Sequence, residues 1–350
     1  MKTVGYFGNY NPSHPRNLIF IEWLKLADYH VLEINCRDRG LRKYFKLIKE
    51  LIAKKNKIDY LIVGFPGQAM VSVARIFFRG PIIFNALLSL YDAMITDRQI
   101  YPKFSPQAIY YWILDFFSTR LADCIILDSQ AYIDFFVKKF KARRNKFYRI
   151  FLGANEDVFR PLKTKENNSE IHYYSSFLPS HGTDVIIKAA KLLERDNIKF
   201  VISGRGQCYQ RDLELVEKLG LKNIEFIDQL KNPDKLNRFV NSSFVCLGLF
   251  GVTAKTKRGI ASKVFEALAC AKPVIASSYS ATDELLKDGE SVLLVKPNNP
   301  EDLANKIRLL KDNQSLREKI ASNGRKVYQD KASFKAIPQQ LKNILERLSK

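Results

Sequence analysis

Residues 244–278, FVCLGLFGVTAKTKRGIASKVFEALACAKPVIASS, constrain the fold more than any other stretch of this chain. An apolar run at 244–250 reads as a buried strand, a basic loop follows, a short helix starts near Ser262, and 273–276 reads as a second buried strand. Strand, helix and strand in this order form a βαβ unit, whose two strands lie parallel in one sheet. Such sheets bind ligands beyond the carboxyl ends of their strands, so the loop at 251–261 sits where chemistry is expected.

Within the helix, Val264, Phe265, Leu268 and Ala269 fall at helical spacing and form the buried stripe. Lys263 and Glu266, three apart, are left on a neighbouring face near the helix N-terminus. Ser262 is the expected N-cap, and a reciprocal capping box would need Glu or Gln at 265, where the chain has Phe. Two readings of Glu266 stand side by side. It favours the positive end of the helix dipole and pairs with Lys263, worth about 0.3–1 kcal/mol, or it binds a ligand at the loop.

The run from Ser262 to Ile275, SKVFEALACAKPVI, resembles the donor-site signature of retaining glycosyltransferases of the GT-B fold, family 4. The resemblance implies an α/β chain of two doubly wound, Rossmann-like domains facing a cleft, a nucleotide-sugar donor on the C-terminal domain and an acceptor on the N-terminal one. In that family the helix glutamate, matched by Glu266, binds the ribose of the donor. A second glutamate often stands eight residues earlier, and here that position is Arg258. A subgroup with Ser-Lys or Asn-Lys before the helix glutamate lacks the earlier acid, and this chain is closer to that subgroup.

The rest of the chain continues the alternation of strand and helix. A first strand at 3–7 runs into GNYNPSHPR and a helix from about Asn17. A glycine and polar loop between a first strand and a helix can cradle phosphate or sugar hydroxyls, although this is no GxGxxG fingerprint and a nicotinamide cofactor is not expected. Asn9, His14 and Arg16 are its polar candidates, since the corresponding family loop faces the cleft; for His14, between two prolines, a structural loop contact is the competing reading. Strands follow at 31–34, 60–63, 82–84 and 124–127, with an aromatic helix at 106–121. Asp92 interrupts the apolar segment after the third of these, and a buried acid without a role is costly. The resemblance implies a His or Asp at a comparable point under the anomeric carbon, which nominates Asp92 to shape the transition state; the competing reading is an N-cap or turn residue.

The domain junction is expected near residue 160, giving an acceptor domain at 1–160, a donor domain at 161–330 and a helix at 331–350 that returns to the first domain. Residues 163–170, KTKENNSE, read as a linker. After a strand at 171–175 the family usually supplies an Arg and a Lys to the donor diphosphate. Here the loop is SFLPSHG, the Arg is absent, and His181 stands in place of the Lys. Arg205, beside Gly204 and Gly206 after a strand, and Lys263 are therefore expected to supply positive charge. An exposed turn arginine is the competing reading of Arg205.

Charge bears on partners. The 350 residues carry a net +21, and residues 1–150 alone hold 24 Lys and Arg against 12 Asp and Glu. Basic stretches with interleaved apolar residues occur at 41–57 and 135–149, which suits an anionic membrane surface, while a helix packed on the sheet with solvated lysines is the competing reading. Recognition helices and stacking aromatics for nucleic acid are not evident, so no nucleic-acid partner is expected. The five cysteines are scattered without paired spacing, which argues against a zinc site and for a reducing cytosol. The opening residues lead directly into a strand, so no signal peptide is expected, and no apolar stretch is long enough to span a bilayer.

The expected activity is transfer of a sugar, with retention, from a UDP- or GDP-sugar to a lipid-linked or cell-surface glycan at the cytoplasmic face of a membrane. No metal or cofactor is expected, because no Asp-x-Asp motif is present and fixed cations can meet the departing diphosphate. A sugar-nucleotide epimerase of the same fold and a basic nucleic-acid-binding protein are the alternatives.

Overall fold

The computed structural model describes residues 1–38, 40–163 and 169–348. The linker expected at 163–170 falls largely on 164–168, outside the described residues. The chain divides into two compact units, Met1–Leu152 with Phe334–Lys350, and Gly153–Ser333, against an expected junction near 160.

Unit 1 is built on a six-stranded parallel sheet of β1 (Thr3–Gly8), β2 (His30–Asn35), β3 (Tyr60–Val63), β4 (Ile82–Asn85), β5 (Cys124–Leu127) and β6 (Phe147–Arg149), in the order β2-β1-β3-β4-β5-β6. The helices between them are α1 (Pro15–Leu26), α2 (Arg42–Lys54), α3 (Gln68–Phe77), α4 (Pro106–Leu121) and α5 (Gln130–Phe140). β3, β4 and β5 read YLIV, IIFN and CIIL with every residue buried, because a parallel sheet is covered on both faces. Alternate side chains serve the two faces. Phe7, Leu61, Val63, Phe84 and Ile125 join the core under α2, α3 and α5, while Val4, Tyr6, Ile62, Ile83 and Ile126 join the core under α1.

Unit 2 holds two three-stranded parallel sheets. β7 (Glu170–Ser175), β8 (Lys199–Gly204) and β9 (Ile224–Ile227) form one, and β10 (Cys246–Leu247), β11 (Val274–Ser277) and β12 (Leu293–Val295) the other. β10 lies beside β7, where Phe244 N donates to Glu170 O at 3.3 Å. The helices are α6 (Thr183–Leu192), α7 (Tyr209–Leu219), α8 (Pro233–Ser242), α9 (Ser262–Ala269), α10 (Ser280–Asp283), α11 (Pro300–Asp312) and α12 (Gln314–Lys331). The last helix, α13 (Ala336–Arg347), belongs to unit 1 and packs on α1.

Three local expectations are corrected. The strand expected at 244–250 is regular only over β10, with single backbone bonds from Phe244 N to Glu170 O and from Gly248 N to Ile275 O on either side, although Phe244, Val245 and Phe250 are fully buried; the apolar run reports burial more than pairing. Ser262 lies inside α9 and Ala261 takes the cap position without a side-chain bond, so the first turn of α9 depends on tertiary contacts. α1 starts at Pro15, not near Asn17, because His14 is its N-cap, its ring Nδ1 accepting from Arg16 N at 3.2 Å.

Candidate functional site

In unit 2 the chain runs outward from β7 to β9 in one direction and from β10 to β12 in the other, so strand order reverses between β7 and β10. A reversal of this kind opens a crevice at the carboxyl ends of the two strands. The loops leaving those ends interlock. His181 O accepts from Phe250 N at 3.1 Å. Gly182 has φ +62°, and a Cβ there would lie 2.2 Å from Gly251 N, so the approach of the two backbones requires glycine. A third loop, after β8, lies against the first: a Cβ on Gly206 would stand 1.8 Å from Ser176 O, and one on Gly204, where β8 ends beside β7, 1.9 Å from Ser175 O. Gly204 thus serves the close approach of the two strand ends from which these loops leave.

α9 sits at this end of the sheet with its acid and its base buried. Lys263 Nζ donates to Tyr174 O at 2.8 Å and lies 3.8 Å from the centroid of the Tyr173 ring. The Tyr174 hydroxyl donates to Glu266 Oε2. One tyrosine at the end of β7 therefore holds both charged residues of α9, where one of the two sequence readings had them pair directly. Burial pushes the Lys263 amine down to about 7, with the Glu266 carboxylate acting against it. Burial likewise pushes the Glu266 carboxyl up to about 7, against the Tyr174 hydrogen bond and the Lys263 charge. Burial, the Glu266 charge and the hydrogen bond to Glu266 hold the Tyr174 hydroxyl well above its usual range, so it remains a donor.

The other expected donor residues lie nearby in the chain. His181 Nδ1 is 2.8 Å from Ser175 Oγ, at the turn that leads through Gly182 into α6. Arg205 is half-exposed; its Nη2 donates to Asp228 Oδ1 at 2.8 Å and its guanidinium lies 4.1 Å from the centroid of the Tyr209 ring. Its charge is matched by Asp228. Arg258 is half-buried in the turn after β10, its N donating to Lys255 O at 2.9 Å.

In unit 1 the strand order reverses between β1 and β3, and the loop after β1 carries the three expected polar residues. Asn9 Nδ2 donates to Cys36 O. His14 caps α1, and burial together with the Arg16 charge lowers its pKa. Arg16 is fully buried in the first turn of α1. Its Nε donates to Asn85 Oδ1 at 2.7 Å, while Nη1 and Nη2 have no hydrogen-bond partner. Burial lowers its pKa to about 10, with the Asp128 charge acting against this. Asp92 is fully buried and opens a π-helical turn, Asp92–Asp97; it accepts from Thr96 Oγ1 and, at 3.3 Å, from the Tyr132 hydroxyl.

Two participants went unnamed in the sequence. Tyr174 is one. The other is Asp115 of α4, whose carboxylate accepts from Ser89 Oγ at 2.6 Å, Tyr91 N at 2.9 Å, and Leu90 N and Gln68 Nε2 at 3.2 Å. It fixes the segment that leads into Asp92. Burial raises its carboxyl to about 6 despite those bonds. The one available signal was a lone Asp in an aromatic helix. Among the described residues no group of three or more His, Cys, Asp and Glu could hold a metal ion.

Residues 154–327, nearly all of unit 2, match the model of the family Glycosyl transferases group 1. The chain carries a group 1 glycosyltransferase domain. That domain contains Lys263, Glu266, His181, Gly204, Arg205 and Arg258, whereas Asn9, His14, Arg16 and Asp92 lie before it. An uncharacterized glycosyltransferase of Methanocaldococcus jannaschii is 29% identical over 206 residues, covering 59% of this chain and 55% of that relative. Matches to two more uncharacterized glycosyltransferases of the same organism span 59% and 46% of their lengths. A galactosaminyltransferase of Campylobacter jejuni, named for an acceptor on diphosphate-undecaprenol, is 28% identical over 150 residues, 42% of this chain and 39% of that protein. Among solved structures, HepE of Anabaena in complex with UDP and glucose aligns with a TM-score of 0.76 at 16% identity, over 99% of this chain and 100% of HepE. Sucrose-phosphate synthase from Thermosynechococcus elongatus aligns with a TM-score of 0.78 at 17% identity, over 99% of both chains. The group 1 domain and its partner unit share the GT-B fold of these proteins.

Proposed function

We propose that this chain is a retaining glycosyltransferase that moves a sugar from a UDP- or GDP-sugar to a glycan acceptor carried on a lipid at the cytosolic face of a membrane. The observation that carries the reading is the buried Lys263–Tyr174–Glu266 cluster at the strand-order reversal of the group 1 domain. Glu266, held by the Tyr174 hydroxyl, would bond the ribose hydroxyls of the donor, as the family resemblance implies for Glu266. Departure of a nucleoside diphosphate needs fixed positive charge at the leaving group. An amine with a pKa near 7 takes up a proton when a diphosphate approaches, so Lys263 would gain charge on donor binding. The N-terminus of α6, directly after His181 and Gly182, adds unpaired N–H groups. These fixed groups would serve the diphosphate without a divalent metal. Arg205 and Arg258 keep the part of flanking cations.

For Asp92 the reading keeps a carboxylate that stabilises positive charge on the transferred sugar, and for Asn9, His14 and Arg16 it keeps the acceptor loop. HepE has been solved with UDP-glucose, which favours a uridine nucleotide as the first to test. The basic first half of the chain and the lipid-linked acceptor in the name of the Campylobacter jejuni relative support the lipid acceptor.

The test is a thermal-shift screen of the purified chain against UDP-, GDP-, ADP- and TDP-sugars without metal, repeated with Glu266→Ala. At a donor concentration 100 times the Kd, stabilisation by about 2.7 kcal/mol is expected for one nucleotide class and lost in the variant. No shift with any nucleotide, or an equal shift in the variant, overturns the donor assignment.

A further inference from the structure

The helices on one face of the unit 1 sheet turn an unusual surface to solvent. α4 is apolar on both sides. Trp112 and Phe116 lean on the core, while Ile109, Tyr110, Ile113 and Phe117 recur at helical spacing on the outer side, exposed at 56%, 55%, 40% and 48%. Phe104, in the turn before the helix, is 95% exposed, and Phe45 on α2 is 72% exposed. Of the fifteen large apolar side chains exposed among the described residues, ten lie between Leu41 and Phe117. α3 joins α2 to α4, which makes this one continuous layer.

The charges on that layer have one sign along α3 and α4. Between Asp59 and Asp123 the sequence holds three acids, Asp92, Asp97 and Asp115, and all three are fully buried. The cations of the same stretch, Arg75, Arg79, Arg98, Lys103 and Arg120, are exposed or half-buried, and of these Arg75 pairs with Asp123 just beyond α4. α2 adds Arg42, Lys43, Lys46, Lys49 and Lys54 against Glu50, which pairs with Lys54, and Asp38 before the helix pairs with Arg42 and Lys46. Water-facing surfaces ordinarily break up apolar exposure with charges of both signs. A second copy of this face would set mostly cations against cations, with Asp38, Glu50 and Asp123 as the few acids to offset them, and six of the ten exposed apolar side chains are aliphatic and give nucleic acid nothing to stack on or bond.

We propose that the outer face of α2, α3 and α4, with Phe104 as its foremost apolar side chain, docks the chain on an anionic lipid bilayer. Apolar side chains of this kind reach the boundary between headgroups and acyl chains, and the cations meet lipid phosphates. Tyr101, Tyr110 and Tyr111, with ring centroids 6.2 Å (Tyr101–Tyr111) and 5.5 Å (Tyr110–Tyr111) apart, supply rings suited to interfacial depth. The inference rests on the membrane-held acceptor proposed above, but its test uses no sugar and no nucleotide, so either reading can fail without the other.

The experiment is flotation of the full chain with vesicles of phosphatidylcholine, alone and mixed with phosphatidylglycerol, at low and high salt. The wild type is expected to float with the mixed vesicles at low salt and much less with phosphatidylcholine alone. The triple variant Phe104→Ser, Ile109→Ser, Ile113→Ser, all on the surface, should lower the partition coefficient at least about tenfold. Leu309→Ser, an exposed position in unit 2, should leave it unchanged. Unchanged melting curves establish that the variants are folded. Equal flotation of wild type and triple variant, or failure of the wild type to bind mixed vesicles, overturns the proposal. So does light scattering that shows the triple variant converting a dimer into monomers, because the face is then an interface between copies.

Discussion

Lys263 and Glu266 make opposite demands on pH. Glu266 holds its proton up to about 7 when folded, against an ordinary 4.5, so between those values the folded chain binds the extra proton and stability falls as pH rises. Lys263 releases its proton near 7 when folded, against an ordinary 10.5, so above neutrality the unfolded chain is the better proton binder and stability rises with pH. The pair's contribution therefore passes through a minimum near neutral pH, with limbs of up to about 1.4 kcal/mol per pH unit. Urea unfolding at a series of pH values reads it. Glu266→Gln should flatten the acid limb relative to wild type, and Lys263→Met the alkaline limb. A variant that keeps the wild-type slope removes its residue from this account. The same chemistry makes donor binding draw a proton onto Lys263, so calorimetry near pH 8 in buffers of different ionisation enthalpy should report proton uptake in the wild type and none in Lys263→Met.

Among the elements, the segment that presents Asp92 depends on a helix it does not touch in sequence. Asp115 of α4 receives four hydrogen bonds, three of them from Ser89, Leu90 and Tyr91. In Asp115→Asn one edge of the side chain becomes a donor facing donors, at about 1–3 kcal/mol for each group left without an acceptor. A lower melting temperature is expected, together with faster hydrogen exchange at the Leu90 and Tyr91 amides; unchanged protection at those amides would show that Asp115 does not hold the segment. This is also where sequence reading stops. Lys263 and Glu266 were legible because helical period and strand order are local signals. Asp115 and Tyr174 were not, because their partners lie 24–47 and 89–92 residues away in the chain, and propensity carries no information at that distance. β10 failed for a related reason: apolar residues at 244–250 guarantee burial, whereas pairing was decided by the neighbouring strand. The parallel sheets and the helix order were readable from alternation, whereas the return of the last helix to the first unit was an expectation carried by the family resemblance.

At the scale of the molecule, the chain begins and ends in the same unit, so the stability of unit 1 depends on its last residues. α13 places Ile337, Leu341, Ile344 and Leu345 in one core cluster with Ile19, Phe20, Trp23 and Leu24 of α1. Exposing four such side chains costs about 6–12 kcal/mol, at 1.5–3 each. That is comparable with the whole stability of an ordinary domain, about 5–15 kcal/mol. Unit 2 draws its core from residues 171–320 and has no share in that cluster. A chain ending at Ser333 should therefore lose the unit 1 transition in calorimetry and bind a dye for exposed apolar surface. Its unit 2 transition, and any stabilisation of that transition by nucleotide, should persist. Residues 153–333 alone should show the same nucleotide shift, because every residue of the Lys263–Tyr174–Glu266 cluster lies within them. If the shortened chain melted in the same transitions as the full chain, α13 would be an ornament of unit 1. If the isolated unit bound no nucleotide while the full chain did, donor binding would require residues of unit 1, and the acceptor loop with Asn9, His14 and Arg16 would be the first place to look.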